Sequence, residues 1–281
     1  MDTEQVRTFL AVAAHGSFLE AASRIHVTQS TVSARIQSLE TLLGARLFVR
    51  NRVGAVLTPA GRRFMRHAKT LMLTVEQAKH DVGLPSRFSA SITLGSRIAL
   101  WDGFLPRWAG QMRERAPDVS IRNEVGFEDD LMRRVVEGTM DLALMYAPRH
   151  GTAIHVERLF DETLVLLSTD PDYGQPDDGY VYIDWGPSFY AQHLAWYPDL
   201  ERPAQLANIG WVALQVILAN GGACFVPERV ATPYLESGRL HRAANSPRFR
   251  LPAYVVYTLE TESTVLELGL EVLRGLAAEF R

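Results

Sequence analysis

At 281 residues, 47% hydrophobic and 22% charged, the chain has the composition of a globular protein with a substantial core and room for two or three domains. No apolar run reaches the ~18 residues that a membrane span needs, and no basic stretch followed by an apolar core opens the chain, so neither membrane nor export is expected. The lone cysteine, Cys224, excludes an internal disulfide and suits the cytoplasm. The net charge of −3 hides an asymmetry: residues 1–69 carry ten basic and four acidic side chains, the remainder nineteen and twenty-eight. A basic N-terminal block on an acidic body is the balance expected of a DNA-binding module joined to a module with another task.

In chain order, Glu4 to Ala14 reads as a helix with Val6, Phe9, Leu10 and Ala13 on its core side, ended by His15-Gly16. Ser17 to Leu39 reads as two short helices joined by a tight turn. Ser17 and Glu20 have the spacing of a capping box, and Phe18, Ala21, Ala22 and Ile25 recur at helical spacing. Thr28 is placed to cap a second helix beginning at Gln29, in which Val32, Ile36 and Leu39 share one side. Ser30, Ser33, Ala34 and Gln37 lie opposite, flanked by Gln29 and Arg35, and with Thr28 and Thr31 they complete a face of small hydroxyls and amides. Such a face fits base edges and phosphates in a major groove. Leu47-Phe48-Val49 and Ala55-Val56-Leu57 can form a small β-wing about Asn51–Gly54, placing Arg50 and Arg52 near phosphates or a minor groove.

Residues 1–61 resemble the N-terminal domain of LysR-type transcriptional regulators. The resemblance is carried by Phe9, Ala21–Ser23, the TQSTVS of Thr28–Ser33, Ile36, Leu39, Glu40, the LLGARLFVR of Leu42–Arg50 and the LTPAGRRF of Leu57–Phe64. The opening MDTEQVRTFL is similar to the subgroup that includes repressors of flagellar genes. The resemblance implies a winged helix-turn-helix, operator DNA, contact with RNA polymerase, and a homotetramer built as a dimer of dimers; the residues themselves support only a dimer.

Thr58 and Pro59 begin the next helix, in which Phe64, Ala68, Leu71, Val75 and Ala78, continuing to Val82, form a heptad seam of the kind two chains bury by pairing. Gly83-Leu84-Pro85-Ser86 breaks it. The expected divisions are 1–58 for the DNA-binding domain, 59–84 for the linker and dimerisation helix, and 85–281 for an effector-binding domain. Beyond the break, strands at 91–95, 119–125 and 141–146 alternate with helices at 103–115 and 129–136, implying a parallel sheet. Leu164–Ser168 reads as the strand leaving this lobe. Residues 180–184, Trp211–Ala219, Ala223–Val226 and Tyr254–Leu259 build a second lobe, and Thr264–Phe280 closes on the first. The fold class expected is therefore α/β: an N-terminal winged helix-turn-helix, then two α/β lobes resembling a periplasmic binding protein. Lobe I takes about 90–163 and 264–281, and lobe II about 164–263. Asn220-Gly221-Gly222 stands where many relatives have G-x-G before a strand.

In open α/β sheets ligands bind beyond the carboxyl ends of strands. Ser96, Arg97 and Trp101 follow the first strand, Tyr146 ends the third, and Asp184, Trp185 and Ser188 come from the second lobe; these seven are the candidate effector contacts. Ser96 and the amides of the following helix favour an anionic or strongly polar ligand, and the aromatics a planar or apolar part. No GxGxxG, P-loop, HExxH, GxSxG or CxxC is present, so no enzyme, no cofactor and no metal site is expected. His150 and His155 read as surface residues and Cys224 as a small buried one. The reading is a cytoplasmic transcriptional regulator modulated by a small effector. A solute-binding protein, or an enzyme carrying a DNA-binding module, is the alternative.

Overall fold

The computed structural model describes residues 1–51, 54–151, 153–200, 203–258 and 263–280. The chain forms two compact units, Met1–Leu84 and Pro85–Arg281. No helix among the described residues is long and apolar enough to cross a membrane.

The first unit opens with α1 (Thr3–His15), capped reciprocally by Asp2 and Gln5 and ended by Gly16 in the left-handed region. α2 (Phe18–Arg24) begins at Ser17, whose Oγ accepts from Glu20 N at 3.3 Å, and α3 (Gln29–Leu43) at Thr28, whose Oγ1 accepts from Thr31 N at 3.2 Å. The reciprocal capping box expected at Ser17 is formed instead at Asp2. β1 (Phe48–Asn51) and β2 (Gly54–Leu57) pair antiparallel as the wing. Ala55 N donates to Gly16 O at 2.6 Å, and a Cβ on Gly54 would stand 2.3 Å from that same oxygen, so only glycine lets the wing lie against the end of α1. α4 (Pro59–Val82) follows, with Thr58 Oγ1 accepting from Gly61 N. The rings of Phe9, Phe48 and Phe64 meet at 4.9–5.2 Å, joining α1, the wing and α4 around one core with Val32, Ile36 and Leu39.

That core corrects part of the expected dimer seam. Phe64 and Ala68 are buried inside their own unit, because an apolar side chain within reach of Phe9 and Phe48 is covered locally first. Leu71 and Ala78 are exposed, Val75 is half-buried and Val82 is 89% exposed. An available apolar seam therefore begins only at Leu71.

In the second unit, β3 (Ala90–Ser96), a 3-10 turn (Ile98–Trp101), α5 (Leu105–Arg115), β4 (Val119–Val125), α6 (Glu128–Val136) and β5 (Leu142–Met145) form the βαβαβ core of lobe I. β3 pairs parallel with both β4 and β5. β6 (Ile154–Ser168) then runs through both lobes; it begins ten residues before the expected Leu164. Its opening stretch, IHVERLFDETL, looks too charged for a strand until its partners are seen: Glu157 pairs with Arg274 and Arg158 with Asp161. Lobe II adds β7 (Val181–Ile183), α7 (Pro187–Trp196), β8 (Gln205–Ala207), α8 (Gly210–Asn220), β9 (Ala223–Pro227), α9 (Glu228–Glu236) and β10 (His241–Arg242). β11 (Phe249–Thr258) returns antiparallel to β6, irregular between Ala253 and Tyr254. From Tyr254 onward it also pairs with β5, so Tyr254–Thr258 belongs to lobe I, and the return lies before residue 254 rather than at 263; Leu259 lies outside the described residues. The sheet is consequently mixed, a parallel core with antiparallel β6 and β11 beside it. α10 (Thr264–Ala277) closes lobe I, its Gly269 O accepting from Trp108 Nε1 at 2.9 Å.

Candidate DNA interface and effector cleft

On α3, Gln29, Ser30, Ala34 and Gln37 are exposed with Thr28, while Thr31 and Ser33 are half-buried. Thr28 Oγ1 lies 2.8 Å from both Ser30 Oγ and Thr31 Oγ1, so the hydroxyls at the helix start also brace one another. Arg35 turns away from this face: it pairs with Glu4 at 3.1 Å and donates to Thr8 Oγ1, locking α3 to α1. The backbone of Arg50 lies in β1, but its side chain and the whole of Arg52 are outside the described residues.

Beside the exposed face, a groove of about 730 Å³ runs between the end of α3 and the wing, lined by Ser33, Gln37, Thr41, Arg46 and Val49 among others. Arg46 is exposed there. It is the basic residue that sequence reasoning passed over; its place between the Gly44 helix stop and the wing was the available signal. Glu40 holds that junction rigid, accepting from Leu47 N at 2.6 Å and Phe48 N at 3.2 Å.

In the second unit, a cavity of about 250 Å³ lies between the lobes. Lobe I contributes Ile98, Ala99, Trp101 and Asp102 from the turn after β3. Lobe II contributes Trp185, the start of α8 at Gly210 and Trp211 with Leu214, the end of β9, and Val230 and Tyr234 of α9. A Cβ on Gly210 would stand 2.7 Å from the Trp185 ring, so glycine is what allows α8 to start against that indole.

Of the seven expected effector contacts, the cavity gathers Trp101 and Trp185. The other five lie elsewhere, each for a visible reason. Ser96 is fully buried and donates to Arg97 O. Arg97 is 7% exposed and committed: it pairs with Glu128 at 3.3 Å, donates to Asn208 O of lobe II at 3.0 Å, and stacks over Phe127. Tyr146 backs Trp185 edge-to-face at 5.8 Å and donates to Glu162 Oε1; burial, then the Glu162 charge, pushes its phenol well above the ordinary range. Asp184 is exposed and caps Gly186 N, and Ser188 is exposed on α7, where its Oγ accepts from Gln192.

Sequence reasoning missed Arg229 and Glu162. Arg229 of α9 pairs with the buried Glu162 on β6 and donates to Ala99 O of lobe I at 2.9 Å. Arg97 reaches from lobe I to lobe II and Arg229 from lobe II to lobe I, on either side of the same turn. Among the described residues no three His, Cys, Asp or Glu side chains gather as a metal would require. Cys224 is buried in β9, where desolvation raises its thiol far above the ordinary value.

Residues 3–62 match the model of the bacterial regulatory helix-turn-helix proteins of the lysR family, and residues 86–277 that of the LysR substrate binding domain. The chain belongs to the LysR family of transcriptional regulators. This LysR regulator is 30% identical over 279 residues to the HTH-type transcriptional regulator HdfR of Yersinia enterocolitica, covering 95% of this chain and 94% of that one. It is also 30% identical over 260 residues to HdfR of Salmonella typhimurium, with 92% of each covered. Its fold is similar to that of CbnR, a LysR family transcriptional regulator (TM-score 0.79, 19% identity, 99% of each chain), and to full-length CbnR complexed with its target DNA (TM-score 0.76, 19% identity, 98% of this chain and 100% of that one). The DNA complex of Vibrio fischeri DarR gives a TM-score of 0.61 at 18% identity, covering 98% and 99%. It is thus a DNA-binding regulator with a helix-turn-helix domain and an effector-binding domain.

Proposed function

We propose that a small molecule in the inter-lobe cavity sets how this regulator engages its operator, and that the protein acts by binding alone, in the cytoplasm, without a catalytic step or cofactor. The observation that carries this reading is the cavity walled by both lobes at the turn where Arg97 and Arg229 cross between them. A ligand there gains differential affinity for one lobe arrangement, which is the condition for coupling to DNA. In this reading Gln29, Ser30, Ser33, Ala34 and Gln37 face base edges, with Thr28 and Thr31 at the helix start. Arg46, Arg50 and Arg52 contact phosphates. Chains pair through α4 from Leu71 onward as a homodimer or homotetramer, two recognition helices meet a two-fold symmetric site about one DNA turn (~34 Å) apart, and the bound assembly contacts RNA polymerase.

The test is footprinting of the full chain on its own upstream intergenic region, across a salt series with random DNA as competitor, beside Ala99→Trp, which fills the cavity. A site-specific wild-type complex with steep salt dependence, and an altered footprint or affinity for Ala99→Trp, are expected. An Ala99→Trp footprint and affinity identical to wild type would remove the cleft as the control point.

A further inference from the structure

The outward face of α3 is narrower in chemistry than in composition. Opposite the buried Val32, Ser30, Ala34, Gln37 and Thr41 follow one another at helical spacing, and all four are exposed. Two of them are already engaged. Ser30 Oγ lies 2.8 Å from Thr28 Oγ1, and Thr41 Oγ1 donates to Gln37 O at 2.9 Å. The stripe therefore offers a partner chiefly the Ala34 methyl and the Gln37 amide. Being three residues apart, these stand side by side, with ~5–6 Å between their Cβ atoms.

No cation joins them. The one basic residue of α3, Arg35, is held back by Glu4 at 3.1 Å and by Thr8 Oγ1 at 3.3 Å. Guanine is read in the major groove mainly by an arginine or lysine directed at O6 and N7, which this stripe lacks. A glutamine amide instead matches N6 and N7 of adenine, and an alanine methyl packs on the 5-methyl group of thymine. Side chains that are neighbours on one helix face reach neighbouring base pairs.

We propose that Ala34 and Gln37 are specificity-determining residues of this regulator, the Ala34 methyl seated on a thymine 5-methyl group and the Gln37 amide on adenine N6 and N7 of an adjacent pair. This rests on α3 being the helix that reads the operator.

Selection from a randomised duplex pool by the full chain supplies a bound sequence for the test. Each thymine in it is then replaced singly by uracil, which removes only the 5-methyl group, and each adenine by 7-deazaadenine, which removes only the N7 acceptor. Wild type, Ala34→Gly and Gln37→Ala are titrated with every duplex, and circular dichroism confirms that each is folded. One thymine in each half-site is expected to lose about fourfold in affinity as uracil, the worth of one buried methyl group. Ala34→Gly should bind both forms equally. An adjacent adenine should lose about fivefold as 7-deazaadenine, the worth of one hydrogen bond, and Gln37→Ala should be indifferent to that change. Each ratio is taken within one protein, so a general weakening in a variant cancels. A bound sequence that tolerates uracil and 7-deazaadenine throughout, or penalties that persist in the matching variant, overturns the proposal and leaves α3 as the reader. A pool that yields no preferred sequence removes the reading-helix assignment and the proposal with it.

Discussion

Gln29, Ala34 and Gln37 project from α3, whereas Arg35 on the flank of the same helix is drawn back to Glu4 and Thr8. Gln29→Ala or Ser33→Ala is therefore expected to cost about 1–3 kcal/mol on the matched operator and little on random DNA. Arg46→Ala or Arg52→Ala should weaken both alike and lower the salt slope by about 1. Competition binding separates the two patterns; equal losses on both DNAs for the α3 variants would remove α3 as the reader. Another residue-scale effect is set by pH. His193, buried among Tyr180, Phe189 and Phe225 with Nε2 3.0 Å from the Tyr180 hydroxyl, has its pKa pushed down by desolvation to about 4. It stays neutral in the fold but takes a proton in the unfolded chain near pH 6.5. The unfolded state therefore binds more protons between those values. The stabilisation from neutral burial is complete above about pH 6.5 and is lost as pH falls toward 4, by on the order of 3 kcal/mol. Thermal unfolding of His193→Phe should show a flatter pH dependence across that window than wild type. The Arg35 and Arg97 side chains illustrate what a linear reading misses: face and loop position were legible, but the partners Glu4, Glu128 and Asn208 are long-range.

At the scale of the elements, α4 divides its own stripe. Phe64 and Ala68 serve the core of their unit and the seam from Leu71 onward does not. If chains pair through α4 as proposed, Leu71→Glu with Ala78→Glu is expected to dissociate them while leaving helicity and monomeric melting nearly unchanged, whereas Ala68→Glu should unfold the N-terminal unit by placing a charge in a filled core. Sedimentation paired with circular dichroism reads both; intact oligomers of the double variant would place the pairing surface elsewhere. The heptad spacing was plain in the sequence because period survives without partners, but nothing in it says which members a neighbouring Phe9 will claim. β6 and β11 failed in the opposite sense. The charged residues Glu157 and Arg158 and the proline Pro252 carry no local strand signal, and it is the antiparallel pairing of β6 with β11 that makes both segments continuous. The three helix starts capped by Ser17, Thr28 and Thr58 were readable because a cap is a local device completed within four residues.

For the second unit as a whole, the issue is what ties two lobes together across strands that both must traverse. β6 and β11 provide covalent continuity, and Arg97 and Arg229 provide contacts that can be exchanged. Arg229 is the stronger tie, because Glu162 is 4% exposed and its charge is balanced there by Arg229, while Tyr146 donates to it from the other side. Removing the cation alone leaves a buried carboxylate uncompensated. Arg229→Met is therefore expected to destabilise the unit by about 3–5 kcal/mol, and adding Glu162→Gln should restore much of that loss. Arg97→Met should cost less, because Glu128 is partly open to solvent and can rehydrate. If the arginines only hold the fold, operator affinity will follow stability across all three variants. If they set the lobe arrangement, the Arg229→Met/Glu162→Gln protein, restored in stability but without the bond to Ala99 O, will still bind operator with altered affinity. Urea unfolding and operator titration on the same preparations separate these outcomes. Restored stability with wild-type operator binding would reduce Arg229 to a packing role.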